Sequence, residues 1–117
     1  MTKLLAFAAA VEAGTGLALL AMPMLVIRLL LGVAGTGEGL VLARFLGIAL
    51  FALGVACWPV AGRAAAWRGM LLYNALVALY LAFIGAVGPM SGVLLWPAVA
   101  LHGVVALLLL RGRARAA

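Results

Sequence analysis

Negative charge is nearly missing from this chain: Glu12 and Glu38 are its only acids, and it has no aspartate. Two acids, one of them in a glycine-rich stretch, do not compose a hydrolytic triad, a glycosidase pair or a zinc site with one histidine and one cysteine. The lone Cys57 closes no intrachain disulfide, so cysteine usage is silent about the redox compartment. Charge of either sign is scarce, at 9% of 117 residues, where soluble domains carry about 25%. So few charged groups cannot cover the surface of a soluble fold. The net charge is +6, but the basic residues are isolated or terminal and no aromatic platform accompanies them. Nucleic acid, which needs a contiguous phosphate-tracking surface, is not an expected partner. No metal or cofactor is expected either. Haem-based electron transfer needs a second axial ligand, and only a homodimer could supply another histidine.

Long apolar runs are what the chain has, with 70% of its residues hydrophobic. Crossing about 30 Å of hydrocarbon takes roughly 20 apolar residues as helix. Leu4–Ala21, Val41–Ala61, Gly69–Gly88 and Gly92–Leu110 meet or approach that length. Backbone groups in lipid must be bonded internally, which Ala/Leu-rich segments achieve as helices, and barrel-type alternation is absent. The expectation is a single integral membrane domain over residues 1–117, an all-α four-helix bundle running up-down-up-down. Lys3 forms a minimal basic leader, but Glu12 interrupts the first apolar core, so an uncleaved anchor is expected.

Met22-Pro23 ends the first span. A helix continued to Leu31 would be about 42 Å long, and proline removes a hydrogen bond and clashes with the preceding turn. Pro23–Leu31 is therefore predicted to tilt away as a short interfacial helix with Arg28 toward headgroups or water. Gly32–Gly39 (GVAGTGEG) contains GxGxG, but it follows no strand and lacks the Lys and Ser/Thr of a phosphate cradle. It reads as a turn. In the second span Arg44, Gly47, Phe51, Gly54 and Trp58 fall at three- and four-residue steps, and Gly47 and Gly54 would let a neighbouring backbone come close. Gly62–Arg68 reads as a short basic connection. Pro89-Met90-Ser91-Gly92 reads as a tight return that makes the last two spans an antiparallel hairpin.

Lys3, Arg63, Arg68, Arg111, Arg113 and Arg115 fall on one side of this topology. Basic excess marks the cytoplasmic face, so both termini are expected in the cytoplasm and the protein in a cell membrane, by preference the inner one. Trp58 and Trp67 would then anchor the inner interface and Trp96 the outer.

The polar residues of the spans form the candidate site. At 1.5 Å per residue, Glu12 lies about 12 Å from the cytoplasmic end, Asn74 about 7 Å, and His102 about 15 Å from the outer end. Glu12 and His102 thus share a level near the midplane, with Asn74 a turn below. Arg44 is more than about 10 Å further out, within range of Glu12 only by long reach or a shifted span. A charged carboxylate facing lipid would cost several kcal/mol, roughly 3 to above 10. Glu12 is either a protonated or hydrogen-bonded structural residue or a proton or cation relay. His102 is either a packing hydrogen bond or a pH-sensitive partner of Glu12. Asn74 reads as an interhelical hydrogen bond. Tyr73, Tyr80 and the tryptophans read as packing and belt residues.

The layout, four short spans with an acid in the first, resembles the small multidrug resistance transporters, and Glu12-Ala13-Gly14-Thr15 is loosely similar to their glutamate before a Gly-Thr pair. That likeness implies a dimeric, proton-coupled exporter using Glu12. The family's aromatic patterns, including an Ala-Tyr-Ala-x-Trp run, have no counterpart here, so the likeness is one of size. DoxX-like membrane proteins are similar in architecture alone. From the residues themselves the leading expectation is an accessory or scaffold subunit, because four short helices enclose little cavity. It would pack through Gly/Ala faces against itself or a larger membrane complex. A membrane enzyme or redox subunit acting on a lipid-soluble substrate near Glu12 and His102 is the third expectation.

Overall fold

The structure, a computed structural model, describes residues 2–59 and 63–116. These form helices α1 (Thr2–Ala21), α2 (Pro23–Leu31), α3 (Gly37–Ala56), α4 (Arg63–Val87) and α5 (Leu95–Ala116), with no strand among the described residues. All but α2 are long and apolar enough to cross a membrane. The protein is all-α, with the break after α1 where proline placed it. Met22 leaves helical geometry (φ −135°, ψ 60°) and Pro23 opens α2, where its missing N–H costs nothing.

Helix ends differ from the sequence expectations. α3 begins at Gly37, earlier than Val41, and ends at Ala56, short of Ala61. Thr36 is extended ahead of the helix, and Glu38 in the first turn complements the positive end of its dipole. Trp58 precedes Pro59, which disfavours helical geometry there and sets the stop; residues 60–61 of the expected span lie outside the described ones. α4 absorbs much of the expected connection Gly62–Arg68, because Ala64–Ala66 are strong helix formers. α5 starts at Leu95 rather than Gly92, with Pro97 tolerated in its first turn, and continues through the basic segment. The return between α4 and α5 is correspondingly longer than Pro89–Gly92.

The long helices associate as two antiparallel pairs, α1 with α3 and α4 with α5. Between α1 and α3 the backbones nearly touch. A Cβ on Gly47 would stand 2.7 Å from the Gly16 carbonyl oxygen, and one on Gly54 2.5 Å from that of Ala9. In lipid such close approach is what holds helices together, since burying an apolar side chain gains little against acyl chains. The buried face of α3 is Ala43, Gly47, Leu50 and Gly54. Arg44, Phe51 and Trp58, which the spacing placed with the glycines, are exposed. Gly47 and Gly54 belong to both stripes, while Ala43 and Leu50 replace Arg44 and Phe51, so the buried face is rotated from the expected one by about 50–60°.

The two pairs meet mainly at one end, where Leu5, Ala8, Ala9, Cys57, Ala66, Met70, Val105 and Leu109 form a single apolar cluster drawn from both. A second cluster toward the other end joins Leu19, Ala43 and Leu50, with Val26 and Ile27 of α2 packed on it. α2 ties that end across the pairs. Gly92 N–H donates to the Leu30 carbonyl (3.0 Å) and Leu94 N–H to that of Leu29 (2.8 Å). These carbonyls lie in the last turn of α2 and have no partner within it. Gly32 closes the helix in the left-handed region (φ 71°), a geometry that glycine adopts without strain.

Gly54→Val is expected to lower stability by about 1–3 kcal/mol through overpacking against α1. The check is the thermal midpoint of the detergent-solubilised protein. Gly14→Ala, where a Cβ meets nothing within 4 Å, should leave that midpoint unchanged or raised.

Candidate functional site

Glu12 sits on the face of α1 that turns toward α4 and α5, and is 1% exposed. The carboxyl is therefore removed from lipid, which is the arrangement its solvation cost demands. It lies just beyond the cluster formed by Leu5, Ala8 and Ala9, at the level where the two helix pairs face each other.

Side chains of the other pair gather around it, with Asn74 joining through His102. His102 of α5 places Nδ1 3.7 Å from Glu12 Oε1. Asn74 of α4, 2% exposed, has its Oδ1 2.8 Å from the same His102 Nδ1. Tyr73, next to Asn74, lies close enough to the Glu12 carboxyl to couple with it electrostatically. Its ring stands edge-on to the imidazole at 5.9 Å and 80°. Asn74 and Tyr73 thus flank His102 from adjacent positions on one helix.

The protons in this network follow from its donors and acceptors. Asn74 Nδ2 donates to the Met70 carbonyl at 2.8 Å, one turn back along α4, and lies 3.7 Å from the Met70 sulfur. That fixes the amide so that Oδ1, which can only accept, faces the imidazole. His102 Nδ1 must then carry a hydrogen and donate it. The 3.7 Å separation from Glu12 is too long for a direct hydrogen bond and short enough for strong charge coupling. One proton can be held in two neutral ways, as carboxylic acid with imidazole or as carboxylate with imidazolium. A second proton leaves the pair positive and the loss of the first leaves it negative. Either change puts an uncompensated charge among apolar helices, at several kcal/mol.

Of the polar residues singled out from sequence, Glu12, Asn74 and His102 come together and Arg44 does not. Arg44 is exposed, and its Nε donates to the Leu20 carbonyl at 3.3 Å. Leu20 lies two turns beyond Glu12 on α1, about 12 Å away along the helix. The guanidinium serves the end of α1, where carbonyls lack helical partners once Pro23 interrupts the chain. Gly47 and Gly54 lie at the α1–α3 contact. Trp58 and Trp96 are about half exposed, at 50% and 49%, near the ends of α3 and α5. Trp67 is half-buried and donates its Nε1–H to the Leu109 carbonyl at 3.1 Å, so it fastens α4 to α5 rather than only facing the interface. Tyr73 is the member that sequence reasoning left among packing residues. Its signal was adjacency to Asn74, legible only once the rotation of α4 was known. No family model, curated protein or solved structure matches this chain.

Because His102 is the only histidine, nitrogen-15 NMR of histidine-labelled protein reads this site without assignment. Nδ1 is expected to be protonated in both neutral arrangements of the pair, and a pyridine-type Nδ1 would contradict the network. Asn74→Leu, which removes the acceptor, should release the constraint and allow the Nε2–H tautomer.

Proposed function

We propose that this protein is a small multi-pass membrane scaffold or interaction subunit whose packing is set by the protonation of a buried acid–imidazole pair. The observation that carries the reading is the placement of Glu12 on one helix pair and of His102, Asn74 and Tyr73 on the other. A change in the proton count of this group alters the attraction between the two pairs directly. The closely packed α1–α3 and α4–α5 units provide stiff bodies for that change to act on.

Orientation belongs to the same reading. Lys3, Arg68, Arg111 and Arg113 lie toward the end occupied by Leu5, Ala66 and Leu109, which the positive-inside rule assigns to the cytoplasm. Both termini are accordingly cytoplasmic, in a cell inner membrane. The partner is a second copy or a larger membrane complex that covers the apolar outer faces. A proton-coupled exporter is the second reading, favoured by the same placement of Glu12 at the junction of two helix pairs.

Spin labels at the exposed positions Ile48 and Leu76, in a Cys57→Ser background, report the spacing of the pairs. The distance distribution is expected to shift between pH 5 and pH 8 in an otherwise native chain, and to stay fixed in Glu12→Gln and in His102→Asn. A native distribution independent of pH would overturn the proton-responsive part. Purification in mild detergent tests the scaffold part: assembly with itself or with stoichiometric subunits is expected, and a lone monomer at every pH counts against it. Saturable cation binding lost in Glu12→Gln would move the assignment to the exporter. A C-terminal reporter found outside the cytoplasm would reverse the orientation.

A further inference from the structure

At the end opposite the basic cluster, α2 folds back beside α1 and α3 and leaves an open groove of about 440 Å³. Met22, Met24, Leu25 and Leu40 give it an apolar wall, and both Arg28 and Arg44 border it. The two guanidiniums come from different helices separated by a glycine-rich turn, so their convergence is a product of the fold. Among the described residues neither has a carboxylate within ion-pair distance; the single such contact is His102 with Glu12. Glu38, the one acid toward this end, is not in the groove lining. Arg44 uses Nε on Leu20, and its two terminal nitrogens donate to nothing among the described residues. Arg28 makes no side-chain hydrogen bond among them.

We infer that this groove is a binding site for an anionic glycerophospholipid, with the phosphodiester held between Arg28 and Arg44 and an acyl chain laid along Met22, Met24 and Leu25. Charge complementarity selects the occupant. Two guanidiniums suit a phosphate oxygen pair, since their planar donors match it bidentately. Nothing in the lining would receive the ammonium group of a zwitterionic headgroup. The apolar wall distinguishes a lipid from a free phosphate ion, which would leave those methionines and leucines uncovered. Location agrees: the groove starts where α1 ends at Ala21, at the limit of the apolar span, where headgroups lie. The site is separate from the Glu12 network and stands whether or not that network responds to protons.

The test is native mass spectrometry and thermal shift of the full chain in nonionic detergent. Phosphatidylglycerol, phosphatidylcholine and inorganic phosphate are added in parallel. Phosphatidylglycerol is expected to remain bound at one per chain and to raise the thermal midpoint. Phosphatidylcholine should bind at least tenfold more weakly. Arg28→Gln/Arg44→Gln should lose that preference, while Glu12→Gln keeps it. Because Arg44 also caps α1, Arg28→Gln alone provides a variant with no described protein bond to lose, and several-fold weaker phosphatidylglycerol binding is expected of it. Equal binding of the two lipids, or undiminished binding by Arg28→Gln, would overturn the site. Inorganic phosphate raising the midpoint as far as phosphatidylglycerol does would overturn its assignment to a lipid.

Discussion

A carboxyl group in the middle of an apolar helix constrains every neighbour, because lipid offers it neither water nor a hydrogen-bond donor. Here Glu12 is answered by Tyr73 and His102, and His102 in turn by Asn74. Interhelical hydrogen bonds in membranes average only about 0.6 kcal/mol in double-mutant cycles, so the network adds little as a glue. Its weight lies in the alternative: rotating α1 to expose the acid would cost several times that. The contact therefore specifies which faces of the two helix pairs meet more than it strengthens their union.

The same reasoning governs the backbone. Pro23 ends α1 early and leaves carbonyls at its C-terminus, and α2, only nine residues long, has its own unpaired end. In lipid or at its edge each of these groups needs a partner. Arg44 supplies one for Leu20, while Gly92 and Leu94 supply them for Leu30 and Leu29. Satisfying those carbonyls draws α2 against the α4–α5 return, and it also brings Arg28 and Arg44 to one groove. A local defect in helix one thus produces both the clamp between the pairs and the convergence of charge.

Two levels of organisation result. Within each pair, close contact dominates: glycine backbones between α1 and α3, and the Trp67–Leu109 bond between α4 and α5. Between the pairs, the links are an apolar cluster at one end, the polar group beyond it and the α2 clamp at the other. The polar group is the part of this seam whose charge can change.

Much of this was legible from the amino-acid order. The spans follow from the length of hydrocarbon to be crossed, the break from Pro23, and the shared level of Glu12 and His102 from the constant rise of a helix. Rotation about the helix axis has no such ruler, since an apolar face in lipid looks the same whether it meets acyl chains or another helix. Hence Tyr73 passed as packing, Arg44 was grouped with an acid it does not approach, and the burial stripe of α3 was displaced toward Arg44 and Phe51. Depth was legible from the sequence for Glu12 and His102, but Asn74, expected a turn below them, bonds His102 directly, because α4 starts at Arg63 and not at Gly69. Which residues at that depth touch was decided by tertiary structure, where backbone approach at Gly47 and Gly54 and the pairing of stranded carbonyls select one set of rotations.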